Sequence, residues 1–516
     1  MIIALIVSAF GLSFAFAPFG ARFLAYFALI PLLAMIERHH FKKVFLYGLL
    51  FGAVFALFHL WWLYFLIVPV EPVTRILLLL GVTILFVYLG LYTAVFAIAT
   101  KFLGLGFAPL IWAVLEFVRT KSEIGFPWGF LGYTQTPYTP IVQMGSVFGV
   151  YGLSAWLVWI NLLVLWIFKR KHKLTYAVIL IISLILPIGY GLIRMKEKPA
   201  VLKVAIVQPN VGPNEKGDRE SRNRLLVELT GLVRSSAEQK PDLIILPETA
   251  TIVDITRSRD LQAAFQAMAD SHQVSIFTGT PLFEPEGSVY YNSAVLFNPG
   301  QVRVDSITEN DSIVYLTLPR FDQIYRKIHL VPFSERIPYV DKIALIRKIE
   351  TGDMGDCTPG KERTVFDMPS RSQNTAHKLS ALICFESIFP DLAREFTSQG
   401  ADMLVNITND GWFGKTPGPY QHCELAVLRS VENGVPLIRS ANNGISLISD
   451  PYARVKKRTG LFTQTVLVDS VSGPLRPTFY RSYGDIFIYF GLAIIGIGLI
   501  LKPFKHKKSK HTRRLT

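Results

Sequence analysis

The sequence is poor in cysteine and in charge. Its 516 residues include three cysteines, Cys357, Cys384 and Cys423, and only 18% are Asp, Glu, Lys or Arg. No CxxC pair and no Cys/His cluster occurs, so the usual zinc spacings are excluded and no metal is expected. No GxGxxG or P-loop stands in a strand–turn–helix setting, so no nucleotide cofactor is expected either. An odd cysteine count leaves at least one thiol outside any disulfide within the chain. The separation of Cys357 from Cys423 permits a bridge without indicating one.

What the chain has in excess is apolar sequence. A hydrophobic fraction of 51% is too high for a single soluble enzyme, and it is unevenly spread. Long apolar runs dominate residues 1–193, residues 200–480 read like an ordinary globular domain, and one more apolar run covers 486–501. We therefore expect an N-terminal transmembrane bundle of about seven spans over 1–193, a globular domain over 200–480, a closing transmembrane helix over 486–501 and a basic tail over 502–516. A span takes about 20 mostly apolar residues. The candidates are 1–17, 23–36, 44–67, 76–99, 105–118, 141–168, 174–193 and 486–501, eight in all, of which the second and fifth are short. The first could be mistaken for a signal peptide ending at Ala15-Phe16-Ala17, but it lacks a charged start and further spans follow at once.

A net charge of +15 is of the kind that nucleic-acid binding uses, but its placement argues for a membrane. Lys502, Lys505, Lys507, Lys508, Lys510, Arg513 and Arg514 follow an apolar helix directly, where basic residues act as a cytoplasmic anchor and attract anionic lipid. The loops Arg38–Lys43 and Lys169–Lys173 are basic too. With eight spans and the N-terminus inside, all three basic segments fall in the cytoplasm. The loop 68–75, the segment 119–140 and the globular insert then lie outside, which makes the insert periplasmic or at least extracytoplasmic. Polar residues within spans need a reason. His59 lies beside Trp61 and Trp62, and Glu116 and Arg119 share one helical face. They read either as structural anchors or as a polar floor beneath a lipid headgroup. The loop Phe126-Pro127-Trp128-Gly129 is expected at the membrane interface, where aromatics settle.

From Leu202 the pattern changes to short β-branched runs. Segments 201–208, 242–248, 274–280, 294–298, 379–386 and 401–408 read as strands, with helical patterns at 218–238, 258–271, 390–399 and 420–433. The alternation implies an α/β layered domain, and the neighbouring strands 274–280 and 294–298 allow antiparallel pairing. Three polar residues stand at strand ends or in adjoining loops: Glu248 after LIILP, Lys327 in YRKIHLVPF, and Cys384 after LSALI. A thiol with a carboxylate as base and an ammonium to meet the oxyanion suits nucleophilic acyl transfer, and the backbone N–H of Phe385 is a second oxyanion donor. Each residue alone has a blander reading, a small buried hydrophobe for Cys384 and solvated charges for the others. Spacing does not bring Glu248 and Cys384 together.

At these residues the sequence resembles the nitrilase, or carbon-nitrogen hydrolase, superfamily, whose Glu-Lys-Cys triad sits on an α-β-β-α sandwich. The motifs LPE, YRKIHLVPFSE and ICFE match that pattern. More narrowly it is similar to the apolipoprotein N-acyltransferase family, on NDGWFG (409–414), QH (421–422) and RSVENGVPLIRSANNGIS (429–446). The resemblance implies Glu248 as general base, Lys327 as oxyanion stabiliser and Cys384 as nucleophile. It implies support from Glu335 on a mobile loop near the site, from Phe385, and from Glu386 two residues past the nucleophile. The family usually has Tyr at position 385 and GE where this chain has Ser334-Glu335; Arg336 then stands where an apolar or aromatic residue is frequent. The Phe keeps the backbone N–H and loses any hydroxyl contribution. The implied reaction is ping-pong, from a phospholipid acyl donor through a cysteine thioester to the amine of a diacylglyceryl lipoprotein, in a bacterial inner membrane with the catalytic domain periplasmic. Two rivals stand beside it: a membrane-tethered amide hydrolase with water as acceptor, and a non-catalytic membrane scaffold or permease.

Overall fold

A computed structural model describes residues 2–67, 72–212, 219–284, 289–309, 312–340, 342, 357–369 and 376–512. Arg513 and Arg514 of the basic tail and part of the loop 68–75 lie outside them. The chain divides into two compact units. One holds Met1–Met195, Thr416–Glu424 and Ser482–Thr516; the other holds Lys196–Lys415 and Leu425–Arg481.

The first unit is helical. Four of its helices, Phe41–Phe65, Thr74–Leu103, Gly145–Lys169 and Lys173–Arg194, are long and apolar enough to cross a membrane, and Ile2–Ser13, Leu105–Val118 and Ile486–Lys502 are shorter apolar helices. The run 1–17 is helical only to Ser13, and the run 23–36 is a 3-10 turn, Arg22–Tyr26, followed by the helix Ile30–Arg38. Two causes break that second run. Pro31 stands at the start of the later helix, and Asn161 of the buried helix Gly145–Lys169 satisfies the interrupted backbone. Its Oδ1 accepts from the Leu29 N–H at 2.9 Å, and its Nδ2 donates to the Ala25 carbonyl at 2.8 Å. Irregular backbone in apolar surroundings requires such partners.

Helices Phe41–Leu60 and Pro72–Leu103 pack through small residues. A Cβ on Gly52 would lie 2.8 Å from Gly90 Cα, and one on Gly90 would lie 2.9 Å from the Leu49 carbonyl oxygen. Close backbone approach of this kind replaces the hydrophobic drive that helices lack in lipid. At one end of the unit Glu37 takes Lys169 at 2.9 Å and Arg170 at 2.8 Å, while its carbonyl accepts from Lys101. Lys502 lies 3.8 Å above the Phe102 ring, so parts of all three basic segments gather at that end. The segment Thr416–Glu424 belongs to this unit as well. Gln421 Oε1 accepts from Trp62 Nε1 (3.1 Å) and Trp128 Nε1 (2.9 Å), and Arg22 pairs with Glu424. Trp128 is buried within the protein, its indole N–H donated to Gln421.

The second unit is built on two six-stranded sheets. Its strands are β1 (Ala200–Gln208), β2 (Leu243–Ile245), β3 (Ser275–Phe283), β4 (Tyr290–Phe297), β5 (Val302–Glu309), β6 (Ser312–Pro319), β7 (Ile324–Arg326), β8 (Phe366–Met368), β9 (His377–Ile383), β10 (Met403–Thr408), β11 (Leu437–Ala441), β12 (Leu447–Ser449), β13 (Val455–Arg458) and β14 (Thr465–Ser472). The sheet orders are β14-β1-β2-β3-β4-β7 and β13-β12-β11-β10-β9-β8, and β5 and β6 form a separate hairpin. Each large sheet has three parallel strands at its middle and antiparallel strands at its edges. The Ser440 hydroxyl donates to the Val207 and Ile245 carbonyls, and Phe277 meets Phe366 edge to face at 5.3 Å, so the sheets stack on each other. Helices Arg219–Glu238 and Arg259–His272 cover the first sheet with Leu229, Val233, Phe265 and Ala269 against Ala205, Ile244, Ile276 and Val295. On the second sheet, helix Pro390–Ser398 is tied to residues 425–433 by Thr397 donating to Asn433 at 3.0 Å, and Ser430 meets Ser449 of β12. The result is the α-β-β-α sandwich. Strands buried on both faces explain why their sequences are continuous apolar runs rather than alternating ones.

Candidate active site

The carboxyl ends of the middle strands β2 and β9 and of the edge strand β7 carry the polar residues, and ligands sit at such ends in open α/β sheets. Glu248 follows β2, and Gly279 on β3 lets it come close: a Cβ there would lie 2.8 Å from Glu248 Cα. Lys327 follows β7, held by its N–H donating to the Asn292 carbonyl of β4 at 2.8 Å. Cys384 follows β9 and opens a short 3-10 turn at φ 52°, a left-handed conformation costly for a side chain with a Cβ. The strand thereby stops at the sulfur.

Lys327 is 1% exposed, and its ammonium lies 2.8 Å from Glu335 Oε1 and 3.4 Å from Glu248 Oε1. Asn292 Nδ2 donates to the same two oxygens, at 2.7 Å for Glu248 and 3.1 Å for Glu335. Glu248 Oε2 accepts from the Asn409 N–H at 2.9 Å, and Glu335 Oε2 from the Val331 N–H at 2.8 Å. All four carboxylate oxygens thus have donors. Burial by itself pushes the Lys327 ammonium down, but Glu335, then Glu248 and Cys384, push it up, and it ends well above its ordinary range. Burial pushes the Cys384 thiol up, and the Glu248 charge pushes it further, against the pull of Lys327 and a hydrogen bond with Thr408. The resting pair is therefore a neutral thiol beside a fixed cation.

Glu386 is fully buried and acts as a clasp. Its Oε1 accepts from Tyr325 Oη (2.6 Å), Ile328 N (2.6 Å) and His329 N (3.1 Å), and its Oε2 accepts from Ile383 N at 2.7 Å. One carboxyl thus fastens the loop after Lys327 to the turn bearing Cys384. Burial raises its pKa to about 7 against those hydrogen bonds. Phe385 is buried with its ring edge-on to Phe389 at 5.3 Å.

Glu248, Lys327, Cys384 and Glu335 thus come together, with Glu386 behind them. The QH pair of the signature, Gln421 and His422, belongs to the first unit. Cys357, Cys384 and Cys423 form no disulfide. Sequence reasoning missed Asn292 and gave no role to Asn409 or Tyr325, although both stand in its motifs; an Asn inside the strand YYNSAVLF was a usable signal, because strands are depleted in it. Behind the site, Asp410 of the NDG motif pairs with Arg439 at 2.7 Å, both fully buried, and Gly411 and Gly444 allow Asn443 and Asp410 to approach them closely.

Comparison with known proteins agrees with this architecture. A family model described as carbon-nitrogen hydrolase matches residues 203–476, and one described as apolipoprotein N-acyltransferase N-terminal domain matches residues 8–163. The apolipoprotein N-acyltransferase of Geobacter metallireducens is 32% identical over 97% of this chain and 94% of that protein. The chain belongs to the apolipoprotein N-acyltransferase family. The protein of that name from Chlorobaculum tepidum is 30% identical over 92% of this chain and 90% of its own length. Among solved structures, the nitrilase-superfamily protein Nit3 of Saccharomyces cerevisiae aligns with 54% of this chain and 92% of its own, at 17% identity and a TM-score of 0.37. In this apolipoprotein N-acyltransferase family member, the two family models match separate stretches, one within the first unit and the other mostly within the second.

Proposed function

We propose that this chain is an apolipoprotein N-acyltransferase that works through a thioester at Cys384, the final step of lipoprotein maturation. The observation that carries the reading is the buried Lys327 ammonium held 2.8 Å from Glu335 and 3.4 Å from Glu248, on the strand ends that also bring Cys384 to the site. Cys384 Sγ attacks the ester carbonyl of a phospholipid while Glu248 takes the thiol proton. Lys327, with the Phe385 N–H, stabilises the oxyanion. The glycerol oxygen leaves with the proton held by Glu248, giving a lysophospholipid and an acyl-Cys384 thioester. The α-amine of a diacylglyceryl-cysteine N-terminus then attacks, Glu248 accepts its proton and returns it to sulfur, and the amide departs. Glu335 holds the Lys327 ammonium, and Glu386 holds the Cys384 turn.

The same reading places the chain in a bacterial inner membrane. Eight crossings, counting the shorter apolar helices and the broken run 23–36, put both chain ends and the basic end around Glu37 in the cytoplasm. The insert entered after Arg194 is then periplasmic. The gathering of Lys101, Lys169, Arg170 and Lys502 at one end supports this orientation.

Intact mass of the purified chain after incubation with phosphatidylethanolamine tests the chemistry. One acyl adduct, labile to hydroxylamine and absent in Cys384→Ala, is expected. Addition of a diacylglyceryl-cysteine peptide should move the acyl group to the peptide N-terminus. Release as free fatty acid instead would identify a hydrolase, and no adduct at all would remove the thioester.

A further inference from the structure

Beside Glu248 the second unit has a hollow that the chemistry described above leaves unused. It holds about 370 Å³ of empty space, its open mouth included. The loop after β1 lines it with Val211, helix Arg219–Glu238 with Leu225 and Leu229, and the loop after β2 with Ala250 and Ile252. Glu248 is part of the same lining. Leu225 and Leu229 are buried, Val211, Ala250 and Ile252 are half-buried, and the exposed Glu228 and Gln464 mark the mouth.

The walls are held under strain. Asn210 at φ 58°, Thr249 at 46° and Ile252 at 60° all take left-handed backbone around the hollow. That conformation is costly for β-branched Thr and Ile, and it persists only where the surroundings enforce it. Asn442, also in the lining, secures one wall. Its Oδ1 accepts from the Val211 N–H at 2.9 Å, and its Nδ2 donates to the Val211 carbonyl at 2.7 Å. The same Nδ2 donates to Asn409 Oδ1 at 3.1 Å, and the Asn409 N–H is the one given to Glu248 Oε2. One set of hydrogen bonds therefore fixes both the carboxylate and the wall beside it.

In the proposed transfer Glu248 accepts a proton from the α-amine of the acceptor, which puts that nitrogen about 3 Å from a carboxylate oxygen. The cysteine Cα lies about 1.5 Å from its nitrogen, and the next Cα about 3.8 Å further along. The second side chain thus leaves the peptide within about 8 Å of Glu248. We propose that the hollow receives this side chain, that of the residue following the diacylglyceryl-cysteine, and favours apolar or basic residues over acidic ones. The inference rests on the acyl-transfer reading above. The leucines, Val211, Ala250 and Ile252 offer an apolar side chain a place away from water. The Glu228 carboxylate at the mouth attracts a cation and repels an anion, and among the described residues no lysine or arginine lines the hollow.

The test uses the full-length chain in detergent, loaded at Cys384 from phosphatidylethanolamine, and diacylglyceryl-cysteine peptides whose second residue is Gly, Leu, Lys or Asp. The second-order rate of transfer to each is read by mass, with the Gly peptide as the reference within each variant. In the wild type, Leu is expected about tenfold above Gly, and Lys about threefold above Asp at low salt. Leu225→Trp, which fills the hollow, should bring Leu down to Gly or below, and Ala250→Leu should act in the same direction from the loop after β2. Glu228→Lys should put Asp above Lys. With transfer intact, three results would each overturn the subsite and leave the acyl-transfer reading standing: equal rates for Gly and Leu in the wild type, a Leu preference that survives both filling variants, or a Lys-to-Asp ratio indifferent to Glu228→Lys. No transfer from the wild type to any peptide would remove that reading and the subsite with it.

Discussion

The two units hold their buried carboxyls differently. In the second, Glu248, Glu335 and Glu386 are met on every oxygen, by Lys327, Asn292, Tyr325 and backbone N–H groups. In the first, the buried carboxyl of Glu116 takes the Trp112 indole N–H and the Leu131 N–H on one oxygen, at 2.8 and 2.9 Å. Satisfied groups in a dry site are fixed before substrate arrives, so their charge acts without reorganisation.

The comparison can be broken most sharply at the sulfur. Cys384→Ala should abolish the hydroxylamine-labile acyl adduct seen by intact mass. Lys327→Met should slow thioester formation about 10²–10³-fold, the size expected for loss of one oxyanion donor. It also leaves Glu248 and Glu335 facing each other, so the variant should melt lower than Cys384→Ala. Arg439→Met strands a fully buried Asp410 and should destabilise the second unit by about 3–5 kcal/mol in denaturant unfolding, without any direct contact to substrate. In the first unit, where glycines rather than ion pairs set the packing, Gly52→Val should cost about 1–3 kcal/mol by overpacking, read as a lower melting temperature in detergent.

The smallest effect is a pH slope. Glu386 has a pKa of about 7 in the folded chain, raised from 4.5 by burial. Between those values the folded chain keeps a proton that the unfolded chain has lost. The stability this group contributes is therefore full below pH 4.5 and falls as pH rises through 7. Glu386→Gln should flatten the melting temperature against pH across that window. Parallel curves for the two proteins would show a carboxyl ionised throughout.

Much of the sandwich was legible because its middle strands and their helices are long and strongly patterned. β1, β3, β9 and β10 fall where the apolar runs predict, and so do the helices Arg219–Glu238 and Arg259–His272. β7, β8 and β12 were not read, since three residues carry no periodicity. β13, VKKR, is exposed along its whole length, and its charges suit an edge strand while hiding it from a hydrophobicity scan. In the bundle, apolar length predicted a continuous span over 23–36, but Pro31 and the Asn161 side chain allow the chain to break there. The candidate site was legible as strand-end residues and as motif order. Its meeting was not, because Glu248 and Cys384 are joined through two different sheets. Asn292 and Tyr325 act through other side chains, which leaves no spacing to detect.

The Glu386 clasp joins Ile383 beside the sulfur to Ile328 and His329 beside the ammonium. Sulfur and ammonium are set by one jig, so in the proposed reaction the gap between the point of attack and the point where charge collects does not adapt to the lipid. Choice among donors would then fall to the walls that admit a chain. Lipids differing only in their tails should therefore differ in how readily they are captured, and react at similar rates once seated.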